Sequence, residues 1–159
     1  HRRIALLGQP LHIYTMVERR QGYLDALHAA GIRADPELER HVETVDAAQI
    51  EAARVLELDD PATAIFCANN RMSVGAMSAL GEAARRVALV GFDDLELAES
   101  VAVPLTVVRA DPVVLGRAGS EILLRRMDGW DAPPQKLVLP TELVTRGSGE
   151  IPPDGYASR

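Results

Sequence analysis

Val87-Ala88-Leu89-Val90-Gly91-Phe92-Asp93-Asp94 is a run of four apolar residues that ends on a glycine, an aromatic and two adjacent carboxylates. Four consecutive apolar positions leave no polar face, so a strand built from them is covered on both sides, as strands of parallel sheets are. Two similar runs lie upstream. Ile4-Ala5-Leu6-Leu7 closes on Gly8 and Pro10, and Ala64-Ile65-Phe66-Cys67-Ala68 closes on Asn69 and Asn70. Helix-length segments separate the three runs. This alternation predicts an α/β fold, an open parallel sheet with helices on both faces in three layers.

The intervening segments carry helix signals. Thr15 with Glu18 has capping-box spacing, Tyr23 and Leu27 share a face, and Gly31 suits a left-handed C-terminal cap. Asp46 and Gln49 repeat the start signal ahead of Ile50, Ala53, Val55 and Leu56, with Asp59-Asp60-Pro61 as the stop. Met72 to Ala84 reads as a third helix. Leu105 to Val108 is a fourth strand, and Asp111-Pro112 opens a helix that runs to about Asp128. Beyond the Asp131-Ala132-Pro133-Pro134 breaker two short strands are expected, Lys136 to Leu139 and Leu143 to Thr145, followed by a loose tail from Gly147. The expected order is β-α-α-β-α-β-β-α-β-β.

Composition narrows the function. The 159 residues are 47% hydrophobic and 25% charged, ordinary globular usage with room for a real core. A net charge of −6 argues against this segment gripping phosphate backbones by itself. Cys67, the single cysteine, rules out an internal disulfide and sits in an apolar run where a buried thiol is expected, in keeping with a reducing, cytoplasmic setting. No apolar stretch approaches the roughly 18 residues of a membrane span, and no membrane association is expected. His12, His28 and His41 lack metal-ligand spacing, and Ser73, Ser78, Ser100 and Ser120 lie in no GxSxG elbow. Neither an enzyme nor a bound cofactor or metal is expected.

Polar residues gather where the strands end. In an open parallel sheet ligands lie beyond the carboxyl ends of the strands. Arg19 follows the first strand, Asn69 and Asn70 the second, and Asp93 and Asp94 the third. A guanidinium fork, an amide that donates and accepts, and a carboxylate that accepts twice suit a polyhydroxylated small molecule.

The same residues carry a family resemblance. Val90 to Asp94, preceded by Phe66 to Met77 and by Arg19-Arg20-Gln21-Gly22-Tyr23, and followed by Leu139 to Ser148, resembles the lactose-repressor/galactose-repressor (LacI/GalR) family of bacterial transcription regulators from about Arg3 to Ser148. Members have a helix-turn-helix head, a hinge helix and a two-lobed effector module like a periplasmic sugar-binding protein; this chain resembles the second part of that module. The resemblance implies that Arg19, Asn69 and Asp93 contact an effector, with Thr15 and Glu43 near the pocket and Tyr14 best placed to stack on a sugar ring. It also implies a homodimer through Met72, Leu95, Leu97, Val101 and Val103, and operator DNA bound only through a head that this chain lacks. Asn70 stands where the family usually has Asp, the stretch Gly81 to Arg86 is shorter than usual, and Ala110 and Pro112 replace bulkier or polar residues. By the same resemblance, residues 1–108 are the C-terminal lobe, 109–135 a crossover helix of the first lobe, 136–148 strands returning to the C-terminal lobe, and 149–159 a flexible tail. The rival readings are a transport-associated sugar-binding protein of the same fold and an enzyme on a doubly wound fold in which Asp93 or Asp94 is a base or metal ligand.

Overall fold

The computed structural model describes residues 1–96 and 98–153. Ten regular elements follow in order: β1 (Ile4–Gly8), α1 (Tyr14–Ala29), β2 (Glu39–His41), α2 (Val45–Leu56), β3 (Ala64–Cys67), α3 (Asn70–Leu80), β4 (Ala88–Phe92), β5 (Thr106–Ala110), α4 (Pro112–Met127) and β6 (Thr141–Val144). One six-stranded sheet has the order β2-β1-β3-β4-β5-β6. All neighbours are parallel except β5 and β6, which run antiparallel with Val108 opposite Leu143.

Alternation along the strands sorts side chains into two cores. Ala5, Leu7, Ile65, Cys67, Leu89 and Val107 face α2 and α3, where they meet Val55, Met72 and Ala76. Leu6 and Phe66 face the other way and pack with Met16, Tyr23 and Leu27 of α1. The order β2-β1-β3 places the first reversal of strand order at β1, so the ends of β1 and β3 flank a crevice of the kind in which doubly wound sheets bind ligands.

The α2–α3 contact is very close. A Cβ on Gly75 would stand 2.6 Å from both the Ala48 Cβ and the Val45 carbonyl oxygen, so only glycine fits there. Gly31, at φ +63°, ends α1 as expected: its N–H donates to the His28 carbonyl and the Ile32 N–H to the Leu27 carbonyl, the two bonds of a Schellman cap.

Several local expectations are corrected. Helix α1 starts one residue before Thr15 with Ile13 at the cap position and no side-chain cap bond, so the Thr15–Glu18 spacing is not a capping box. Thr44, not Asp46, caps α2 by accepting from the Ala47 N–H at 3.1 Å. Helix α3 begins at Asn70 and gives way at Leu80 to a 3₁₀ turn, Gly81–Arg85. The three-residue strand β2 was not anticipated, because Glu39-Arg40-His41 has no apolar pattern and pairs only at the sheet edge. Residues 136–139 are not a strand; the last strand is β6, and it starts at Thr141. Nor is the tail loose through its described part. Ser148 is buried, its hydroxyl donating to the Leu89 carbonyl at 2.6 Å and accepting from the Thr106 N–H at 2.8 Å. The carboxylate of Glu150 accepts from the Thr106 hydroxyl, and His1 donates through Nε2 to the Ile151 carbonyl at 2.7 Å. The remainder of the expected tail, residues 154–159, lies outside the described residues.

Met72 is also a correction. It is completely buried in the chain's own core, with no surface to offer a partner. Leu95 packs partly against the same core, while Val101 and Val103 are half-buried. Leu97 lies outside the described residues.

Helix α4 stands apart. Asp111 caps it through bonds from the Val113 and Val114 N–H groups, with Pro112 at its first position, but it contributes no buried residue. Its apolar stripe is open to solvent, with Leu115 58% and Leu123 60% exposed.

Candidate functional site

Arg19 lies in the second turn of α1, directed over the sheet by the helix start that follows β1. Its Nη1 donates to the Ala68 carbonyl at 2.5 Å and lies 3.3 Å from Oδ2 of Asp93. The guanidinium stacks on Phe92, 3.7 Å from the ring centroid. Burial holds the Arg19 pKa below its ordinary value and Asp93 pulls it back up, but an arginine stays charged under such pressures. The loops after β3 and β4 are thereby joined to α1 at one edge of the sheet.

Asn69 closes the gap between β1 and β3. Its Oδ1 caps α3 by accepting from the Met72 N–H at 3.0 Å, and its Nδ2 donates to Oε1 of Gln9 at 2.7 Å. The cap thus falls on Asn69, and Asn70 is the first residue of α3. One amide hydrogen and one lone pair of Asn69 remain for a ligand.

Asp93 and Asp94 part company. Asp93 has φ +68°, the only non-glycine with positive φ among the described residues, and its carboxylate is 44% exposed beside Arg19. Asp94 turns away into the chain. Its two oxygens take Nη1 and Nη2 of Arg146 at 2.8 Å each, and the Leu95 N–H and Arg109 add two further donors. Arg146 above all holds its carboxyl down at about 2.

The peripheral expectations separate from this centre. Tyr14 is 60% exposed at the rim, where its hydroxyl accepts from Lys136 Nζ at 2.8 Å. Thr15 is exposed beside it. Glu43 lies past β2 at the sheet edge, exposed and without a hydrogen bond among the described residues. The structure therefore brings Arg19, Asn69 and Asp93 together, sets Tyr14 and Thr15 at their border, and leaves Glu43 apart.

Gln9 and Phe92 belong to the same centre and were not singled out in the sequence. Gln9 follows β1 directly, so the strand-end rule that selected Asn69 and Asp93 also points to it. The stacking role of Phe92 has no linear signal, because it depends on a helix 73 residues upstream.

A cavity of about 920 Å³ is a different feature. Tyr14, Thr15, Arg19 and Phe92 bound one end, but it continues along the bare side of α1 past Ala26 and Ala30 to His1, over Val90 and Val108. Its walls are mostly apolar, and of the polar centre only Arg19, with Phe92 beneath it, lines the cavity. Among the described residues no group of three or more His, Cys, Asp or Glu is placed to hold a metal ion, and no helix is long and apolar enough to cross a membrane.

Residues 1–149 match the family model described as a periplasmic binding protein-like domain. The chain belongs to that family. Within it the similar proteins are LacI-type regulators. The HTH-type transcriptional regulator CelR of Thermobifida fusca is 36% identical over 154 residues, covering 94% of this chain and 45% of that protein. A solved CelR–cellobiose complex superimposes with a TM-score of 0.85 at 34% identity over 94% of this chain and 47% of the other. A LacI-family regulatory protein from Chloroflexus aggregans gives 0.84 at 30% identity, over 93% of this chain and 55% of its own. The chain spans about half the length of the curated relatives it matches. All three are transcription regulators, which does not favour a transport protein.

Proposed function

We propose that this chain is the C-terminal, effector-recognising lobe of a bacterial LacI-type transcription regulator whose ligand is a sugar or sugar-like molecule. The observation that carries the reading is the Arg19–Asp93 pair beside Asn69 and Gln9 at the strand ends: one donor fork, one exposed carboxylate and two amides, a set suited to neighbouring hydroxyls. Tyr14 at the rim stacks on the ring, and Thr15 beside it borders the ligand. The cellobiose held by the CelR neighbour makes β-linked glucosides the first candidates.

In the whole protein a first lobe supplies the opposite wall, and α4, residues 109–135 with its flanks, packs on that lobe before the chain returns at β6. Sugar closing the two lobes favours one of two arrangements and so biases the DNA-binding heads. The protein works in the cytoplasm as a homodimer, with Leu95, Val101 and Val103 near the two-fold axis, binds operator DNA through its heads, and catalyses no reaction.

Calorimetric titration of the full-length protein with cellobiose and a panel of mono- and disaccharides tests this. Saturable binding by a sugar that also changes operator affinity is expected. Failure of every sugar to bind overturns the ligand class.

A further inference from the structure

Asp94 is the neighbour of the ligand-facing carboxylate, yet it has no capacity left for a ligand. Arg146 meets it with both terminal nitrogens, each at 2.8 Å, and the Leu95 N–H and Arg109 occupy further lone pairs at 2.9 and 3.3 Å. Arg146 is itself fixed. Its side chain is 11% exposed, Nη1 also donates to the Leu105 carbonyl at 3.2 Å, and its backbone N–H donates to the Thr106 hydroxyl at 2.9 Å. Nε alone makes no hydrogen bond, although it lies 3.3 Å from Glu99, so the guanidinium is oriented by Asp94.

The residue between this grip and the pocket is Asp93, in left-handed backbone geometry that few residues other than glycine, asparagine and aspartate adopt. Two things fix the turn: the Asp93 N–H donating to the Val108 carbonyl at 2.9 Å, and the anchored Asp94. We infer that Arg146 is a positioning residue of the effector site, which by clamping Asp94 keeps the Asp93 carboxylate aimed at the ligand beside Arg19. Arg146 follows β6, the strand entered only after α4, so the same clamp ties the returning segment of the chain to the ligand carboxylate. This rests on the proposed effector reading of the Arg19–Asp93 centre.

Two measurements on the full-length protein test it. The first needs no ligand: amide hydrogen exchange at Asp93 and Leu95 in Arg146→Met, Arg146→Lys and Asp94→Asn. Faster exchange at those two amides is expected, with the β1 and β3 amides unchanged and Arg146→Lys nearest to wild type. The second is a double-mutant cycle with cellobiose as probe. Arg146→Met should weaken binding roughly three- to thirty-fold in the wild-type background and have almost no further effect beside Asp93→Asn, because it acts through that carboxylate. Additive losses, or unchanged exchange at Asp93 in both Arg146→Lys and Asp94→Asn, overturn the inference. A wild-type protein that binds no sugar overturns the effector reading instead, and the exchange data still decide whether Arg146 holds the turn.

Discussion

At residue scale the site trades stability for aim. A left-handed aspartate costs on the order of 1–3 kcal/mol relative to relaxed backbone, and Asp93 has that geometry while presenting its carboxylate at the strand end. Asp93→Gly should therefore raise the unfolding free energy by roughly 1 kcal/mol or more while abolishing effector binding; a destabilised glycine variant would show that the turn carries no strain. Asp93→Asn keeps the shape and tolerates the backbone. It should cost about 1.5–3 kcal/mol of effector affinity, the range for hydrogen bonds to charged groups, read by calorimetry. Asp94 predicts an acid limb. Its carboxyl is depressed from 3.8 to about 2 by Arg146, so its contribution to stability is complete above pH 3.8 and is lost as pH falls toward 2. Asp94→Asn should flatten the stability profile across that window in denaturant titrations at successive pH values. The placement of Arg19, Asn69 and Asp93 at one edge of the sheet was legible from sequence because strand ends are marked by the apolar runs before them. The division of labour between Asp93 and Asp94 was not, since it depends on Arg146, 52 residues away.

At element scale the wholly apolar runs located β1, β3 and β4, and the Asp111-Pro112 start located α4, because those signals are local and agree with the fold. Strand β2 escaped because an edge strand of three charged or polar residues gains its pairing from β1 and not from its own pattern. The capping boxes failed for a related reason: Thr15 and Asp46 carry the right spacing, but where each helix begins is set by how the preceding strand delivers the chain. Packing between elements yields a paired test at glycines. In an exposed helix Gly→Ala gains up to about 1 kcal/mol from propensity, and Gly116 and Gly119 of α4 have nothing within 4 Å of a new Cβ. Gly75 has the Ala48 Cβ and the Val45 carbonyl oxygen at 2.6 Å. Gly75→Ala should cost roughly 1–3 kcal/mol through separation of α2 from α3, against neutrality or gain at Gly119. Equal midpoints for the two variants in chemical denaturation would mean the helices can part freely.

At the scale of the whole molecule the cores are asymmetric. Helices α2 and α3 cover one face of the sheet from β1 to β5, while α1 covers only part of the other, leaving Val90 and Val108 on a cavity wall. Helix α4 adds a solvent-facing stripe of Leu115, Leu123 and Met127, the last 74% exposed. A stripe at helical spacing with large apolar side chains is built to bury itself, and each such side chain is worth roughly 1.5–3 kcal/mol once covered. Because the chain spans about half the length of its relatives, the cover proposed for α4 is the other lobe of the module. Leu123→Asp in the full-length protein should then lower its stability by at least that amount and, since α4 lies between β5 and β6, alter the sugar dependence of operator binding. Exposed Ile50 in α2 serves as the control, and Ile50→Asp should change stability by no more than about 0.5 kcal/mol. A Leu123→Asp protein with the same thermal midpoint as Ile50→Asp would show that α4 faces water in the intact regulator too, and would remove the crossover from the proposed coupling between sugar and DNA.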